Sequence, residues 1–134
     1  MIVDTSAVVA VLRGEEDAHR HLAAMEGADR LRMSAATLVE LTIVVDTRRD
    51  PVLSRRLDEL LDVLGVEVEP FDAEQAVLAR RAYRDYGKGS GHAAGLNLGD
   101  CFTYALAAVS GEALLFKGDD FAATDLSAAL DGRG

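Results

Sequence analysis

The chain has a single cysteine and no tryptophan, and aromatic residues make up only 5% of its 134 positions. Cys101 cannot form an internal disulfide, and no Cys/His pair has the spacing of a zinc finger. A disulfide framework and a structural zinc site are therefore excluded. With so few aromatic side chains, reading of a nucleic-acid sequence by base stacking is limited.

Long apolar runs and positive charge are also scarce. No stretch approaches the roughly 18 consecutive apolar residues of a membrane span, and the N-terminus MIVDTS has no basic region before an apolar one. We expect a cytoplasmic protein with no membrane partner. The net charge of −9 repels nucleic acid on average, so a polyanion would have to be met by a local basic patch or through cations.

The composition and pattern predict one α/β domain. With 49% hydrophobic residues, positions 1–134 fit a single domain around one core. Short strand-like runs alternate with helical patterns, the runs being MIV, LRM, VEVEPF and ALLF. Strands alternating with helices predict a parallel sheet covered on both faces. Thr5 or Ser6 is expected to cap the first helix, and the helix AATLVELTIVVDTRR is apolar nearly all round from Leu38 to Val45, which predicts burial.

Carboxylates lie next to the ends of the predicted strands. Asp4 follows the first strand, Asp119 and Asp120 follow the last, and Asp100 opens the helical run LNLGDCFTYALAAV. Because ligands of such sheets bind beyond the carboxyl ends of the strands, these side chains share one rim if the two strands are neighbours. Glu40 can join them from its helix.

Most of these residues also have a purely structural explanation. Asp100 can cap its own helix, whose N-terminus favours an ionised carboxylate. Asp4 can be a turn or cap residue, and Asp119-Asp120 a solvated turn. Glu40 is harder to explain in this way, because it lies in an apolar helix with no basic residue within four positions. A carboxylate buried there must be paired, neutral or bound to a metal.

As a set, the acids indicate a metal site. Converging carboxylates without cationic partners repel one another by about 4 kcal/mol per close pair at an effective dielectric constant near 20. A divalent cation removes that cost, and oxygen ligands favour Mg²⁺ or Mn²⁺ over zinc. Such a site suits metal-assisted hydrolysis of phosphodiesters.

Four segments, in order, carry a family resemblance: MIVDTSAVVAVL, AATLVEL, GLNLGDCFTYALA and LLFKGDDFAATDL. Together they resemble the successive motifs of PIN-domain ribonucleases, specifically the VapC-type toxins of bacterial type II toxin–antitoxin systems. The likeness spans nearly the whole chain. It implies a three-layer α/β sandwich, with a central parallel β-sheet flanked by helices, and an endoribonuclease that depends on Mg²⁺ or Mn²⁺.

The resemblance also implies the site residues. Four catalytic acids match the family by position: Asp4, Glu40, Asp100 and Asp120. Asp4 and Asp100 match metal ligands, and Glu40 matches the acid that orients metal-bound water or a second metal. Asp119 is the alternative to Asp120 as the last acid, and Ser6 matches a small hydroxyl residue that supports the metal shell.

Partners follow from the same resemblance. It implies a cognate antitoxin, an RNA substrate, a homodimer and a toxin–antitoxin hetero-oligomer. Apolar surface for the homodimer can come from the helix with Leu53–Leu64 or from the helix around Glu40. From the sequence alone, however, core packing is the better explanation of both stripes.

A basic stripe offers a candidate contact for RNA. Arg80, Arg84 and Lys88 recur at i, i+4 and i+8 on a helix that runs toward the glycine-rich stretch GKGSGHAAG. The stripe is either a track for the RNA backbone or an ordinary solvated face, paired with Asp85 or Glu74.

Two other classes of function remain open on the sequence. A phosphoryl-transfer domain of receiver or haloacid-dehalogenase type also uses rim aspartates and Mg²⁺, and Lys117 after the last strand matches the lysine of such sites. Against it, the first strand ends in DTS, without a second aspartate at the dehalogenase spacing. The other alternative is a catalytically idle module that only binds an antitoxin-like helix.

Overall fold

The computed structural model describes residues 1–130, so positions 131–134 of the predicted domain lie outside the described residues. Four short parallel strands form the centre of the fold. The elements in chain order are β1 (Ile2–Val3), α1 (Thr5–Leu12), α2 (Ala18–Gly27), β2 (Arg32–Ser34), α3 (Ala35–Asp46), α4 (Pro51–Val63), β3 (Glu67–Glu69), α5 (Ala73–Tyr86), α6 (Leu98–Ser110) and β4 (Leu114–Leu115).

The order of the strands sets the position of the rim. The sheet runs β3-β2-β1-β4, and all its neighbouring strands are parallel. Ile2 pairs with Leu114 and Val3 with Leu115, so the first and last strands of the chain are neighbours. Their carboxyl ends therefore meet at one edge, and the predicted α/β fold with a parallel sheet is confirmed.

The two faces of the sheet support two apolar clusters. Ile2 and Leu114 pack with α5 and α6, whereas Val3 and Leu115 pack with residues of α1 to α4. Successive residues of a strand point to opposite faces, so each two-residue strand contributes to both clusters. This explains why both β1 and β4 are fully buried.

The predicted burial of α3 on all sides is wrong. Its buried residues are Thr37, Leu41 and Val45, whereas Val39 and Ile43 are more than half exposed, at 57% and 56%. The helix contacts α1, α4, α6, β2 and β3, while the side that carries Val39 and Ile43 stays exposed. An apolar row of Val39 and Ile43, four residues apart, is therefore left open.

Among residues 1–130, no helix has both the length and the apolar character that crossing a membrane requires.

Two positions on α4 test the packing of the apolar cluster that contains Val3 and Leu115. Leu57 is 1% exposed, whereas Val63, near the end of the same helix, is 84% exposed. We expect Leu57→Ala to lower the free energy of unfolding by about 2–5 kcal/mol, because it leaves a cavity. Val63→Ala should change it by less than about 0.5 kcal/mol. Urea unfolding of both variants measures the difference, and equal losses would contradict this description of the packing.

Candidate active site

Asp4 lies at the rim, directly after β1, with both carboxylate oxygens hydrogen-bonded. Oδ2 accepts hydrogen bonds from the backbone N–H of Ser6 at 3.0 Å and from its hydroxyl at 2.7 Å. Oδ1 accepts from the hydroxyl of Thr103 at 2.7 Å. Asp4 is thus the cap of α1, where Thr5 or Ser6 had been predicted, because its extended backbone lets its carboxylate reach the first turn.

Ser6 joins the two strand ends. Its Oγ donates to Asp4 and also accepts from the backbone N–H of Lys117 at 3.0 Å, in the loop after β4. The small hydroxyl predicted to support the site therefore lies between Asp4 and the loop that contains Asp119 and Asp120.

Two buried threonines near Asp4 are site residues that the sequence analysis does not predict. The Oγ1 atoms of Thr37 and Thr103 are 3.0 Å apart, and both residues are almost fully buried. They link α3 and α6 behind the Asp4 carboxylate. A signal existed: Thr103 follows Asp100 by three positions and Thr37 precedes Glu40 by three, so each shares a helix face with an acid.

Glu40 reaches the rim from α3. Its Oε1 accepts a hydrogen bond from the hydroxyl of Thr5 at 2.8 Å, and its carboxylate lies against Gly99. Burial raises the pKa of Glu40, the bond from Thr5 lowers it, and the negative charge of Asp4 raises it further. Glu40 is therefore an electrostatic neighbour of Asp4 that has a neutral hydroxyl as its partner.

Asp100 forms a reciprocal cap at the start of α6. Asn97 is the N-cap residue; its side chain accepts from the Asp100 N–H at 2.9 Å, and Asp100 Oδ2 accepts from the Asn97 N–H at 3.0 Å. Burial raises the pKa of Asp100 to about 7; the hydrogen bond from Asn97 opposes this shift, whereas Asp4 and Asp120 add to it. The helix N-terminus does not keep this carboxylate at an ordinary pKa, because desolvation and neighbouring charge outweigh it.

The two consecutive aspartates after β4 differ in position. Asp120 lies close enough to Asp100 that its side chain and its charge raise the pKa of Asp100. Asp119 instead lines a separate cavity with Asp17 and His21. Asp120 is thus the aspartate of this pair that adjoins the other acids.

The structure brings the four predicted acids to one rim as successive neighbours: Glu40, Asp4, Asp100 and Asp120. In the described part of the chain, no Lys, Arg or His forms an ion pair with any of them. Within the same residues, no three His, Cys, Asp or Glu side chains converge as a ready-made metal cage. The donor set nevertheless fits Mg²⁺, which typically takes one or two carboxylates and keeps several waters.

The basic stripe is only partly as predicted. Arg80 and Arg84 lie on α5 and border an apolar groove with Tyr83 and Phe102. Arg84 is paired with Asp85, at 2.9 and 3.4 Å. Lys88 lies beyond the end of the helix, where its N–H bonds to the carbonyl of Leu96 at 2.8 Å. The prediction of three basic residues on one helical face is therefore wrong at Lys88, because the helix ends before Gly87.

Lys117 does not form an ion pair with the acids of the rim. Its Nζ lies 2.7 Å from Glu15 and 3.1 Å from Asp17, and these two carboxylates raise its pKa. The lysine that would favour a phosphoryl-transfer site is thus paired elsewhere.

The raised pKa of Asp100 makes stability depend on pH in the metal-free protein. Because this pKa is about 7 in the folded chain and about 3.9 in an unfolded one, the folded state holds a proton that the unfolded state releases. The stability that Asp100 contributes is present below about pH 4 and is lost as the pH rises to about 7. We expect Asp100→Asn to become progressively more stable than wild type across that window.

Urea unfolding in a chelator, at several pH values, measures this difference. Asp119→Asn is the matched control, since Asp119 is exposed and lines a different cavity. A difference between Asp100→Asn and wild type that does not change with pH would contradict the prediction.

Comparison with known proteins agrees with this geometry. The family model of the PIN domain matches residues 1–126. Ribonuclease VapC28 of Mycobacterium tuberculosis is 55% identical over 133 residues, which cover 99% of this chain and 100% of that protein.

Two solved structures share the fold. A toxin–antitoxin complex from Klebsiella pneumoniae matches with a TM-score of 0.69 at 18% identity, covering 92% of each chain. Mycobacterium tuberculosis VapC20, described as a sarcin-ricin loop cleaving toxin, matches with a TM-score of 0.70 at 16% identity, covering 93% of this chain and 95% of that one. At such identities the two structures bear on the fold alone. From the family model and the sequence relative, the chain belongs to the PIN-domain family, among its VapC-type members.

Proposed function

We propose that the protein is an endoribonuclease dependent on Mg²⁺ or Mn²⁺ that acts as the toxin of a toxin–antitoxin pair. The observation that carries the proposal is the row of neighbouring rim acids, which lack any cationic partner among the described residues. The VapC relatives are named ribonucleases and match 99% of this chain, which supports RNA as the substrate class.

The chemistry of the donors supports a hard divalent cation. Asp4 and Asp100 are the residues proposed to hold it, since both are buried and the charge of Asp4 raises the pKa of Asp100. When bound, such a cation neutralises the acids and supplies the positive charge that phosphodiester hydrolysis needs.

The other residues have roles that follow from their contacts. Thr103 and Ser6 fix both oxygens of Asp4, so the carboxylate cannot rotate freely. Thr5 holds Oε1 of Glu40 by a hydrogen bond, and the remaining acceptor positions of this carboxylate can orient an attacking water. Asp120 is exposed beside Asp100 and can contact substrate or solvent at the open side of the rim.

The net charge of −9 restricts how RNA can approach. Arg80 is the member of the basic stripe that stays on α5 and has no ion pair among the residues that the structure describes. We include Arg80, together with Arg84 and Lys88, as the proposed contact for the RNA backbone, because each phosphate contact adds salt-dependent affinity.

The decisive test is Mn²⁺-dependent cleavage of total cellular RNA by the purified chain. Asp4→Asn and Asp100→Asn should each lower the cleavage rate by more than about 100-fold, since even residues that only support metal ligands cost about 10–100-fold. Asp120→Asn should lower it more than Asp119→Asn does, because only Asp120 adjoins Asp100. Circular dichroism checks that each variant is folded.

Other outcomes point to the other functions. An idle antitoxin-binding module predicts normal binding of an antitoxin, no Mn²⁺-dependent cleavage and no loss of toxicity on Asp4→Asn. Incorporation of phosphate from a small phosphodonor, without RNA cleavage, would favour phosphoryl transfer.

The partners are a cognate antitoxin and a second copy of this chain, within a toxin–antitoxin hetero-oligomer. A structural neighbour is itself a toxin–antitoxin complex, which supports the antitoxin. The exposed row of Val39 and Ile43 on α3 offers apolar surface for the homodimer. The leucines of α4 are less suitable as a dimer surface, because Leu57 and its neighbours pack in the apolar cluster that contains Val3 and Leu115.

A charge placed in the α3 row tests the homodimer. We expect Ile43→Glu to raise the dissociation constant of the dimer by at least about tenfold, because an unpaired carboxylate would be buried at the interface. Val63→Glu on α4 is the matched control and should leave the dimer intact, since Val63 borders a different groove, with Val11 and Leu60. Light scattering behind gel filtration measures the mass; dissociation by Val63→Glu alone would place the interface on α4 instead.

A further inference from the structure

Gly99 lies where the Glu40 carboxylate meets α6. A Cβ atom added at Gly99 would be 1.5 Å from Oε2, 2.4 Å from Cδ and 2.8 Å from Oε1 of Glu40. These three atoms are its nearest neighbours, and all belong to one carboxylate. No side chain can occupy this position while Glu40 stays where it is.

The backbone of Gly99 does not itself require glycine. Gly99 lies in the first turn of α6, and it is not among the glycines with positive φ. Glycine in a helix is less favourable than alanine, because it loses more conformational freedom on folding. The physical reason for glycine here is therefore space rather than backbone conformation.

We propose that Gly99 is a positioning residue that allows Glu40 to reach from α3 to the start of α6, beside Asp100. A methyl group at position 99 would displace the flexible end of Glu40 rather than the backbone. The displaced carboxylate would lose the 2.8 Å bond from Thr5 and its place next to Asp4. The functional consequence rests on the proposed nuclease, whereas the displacement does not.

The direct test is a crystal structure of metal-free Gly99→Ala. We expect an intact fold in which the Glu40 carboxylate has moved and the Thr5 hydrogen bond is broken. An unchanged Glu40 carboxylate, with the backbone of α6 shifted in its place, would overturn the proposal. This result does not depend on nuclease activity, so it separates failure of the positioning role from failure of the proposed function.

The kinetic test uses a matched glycine. Gly27 lies in α2 without positive φ, and an added Cβ there meets nothing within 4 Å. Gly27→Ala should therefore leave cleavage unchanged, whereas Gly99→Ala should lower kcat by about 10–100-fold with little change in KM, the range seen for residues that support a metal site. An equal loss in both variants would overturn the proposal.

Two further variants test whether Gly99 acts through Glu40. Gly99→Ala combined with Glu40→Ala should be no slower than Glu40→Ala alone, because the carboxylate that Gly99 positions is already gone. Glu40→Asp should restore part of the activity of Gly99→Ala, since it shortens the side chain by one bond of about 1.5 Å. Independent losses in the first combination, or no rescue in the second, would overturn the proposal.

Discussion

The carboxylate of Asp4 is the group on which the rest of the rim depends. Its two oxygens hold the first turn of α1 through Ser6 and contact α6 through Thr103, and Ser6 in turn binds the loop after β4. The same buried charge raises the pKa values of Glu40 and Asp100. One side chain thus connects three parts of the fold and sets the electrostatics of the site.

At this rim the acids have hydrogen-bond donors, but the repulsion between their charges is not cancelled. Hydroxyl and N–H donors bond both oxygens of Asp4 and one oxygen each of Glu40 and Asp100, so each acid is tolerated as a cap or a helix residue. Neutral donors do not cancel the repulsion between acids, which remains as raised pKa values. Stability alone would favour replacing one acid or adding a lysine, and Lys117 nearby is paired instead with Glu15 and Asp17.

Much of the fold was predictable because local signals and global topology agree. The four strand-like runs MIV, LRM, VEVEPF and ALLF all overlap observed strands, in the predicted order. The rim position of Asp4 followed from strand ends, and pairing of β1 with β4 supplied the contact that spacing cannot show. What sequence could not reveal were side-chain partners 35 to 99 residues apart, such as Thr5 with Glu40 and Thr103 with Asp4.

The error at α3 has a different physical origin. An apolar pattern on all sides predicts burial, but it does not say whether the covering surface belongs to the same chain. Val39, on the uncovered side of α3, and Glu40, at the rim, are adjacent in the helix, so their side chains point in directions about 100° apart. Packing a second copy against the Val39 side would therefore also hold the helix that delivers Glu40, which couples the proposed homodimer mechanically to the acid at the rim.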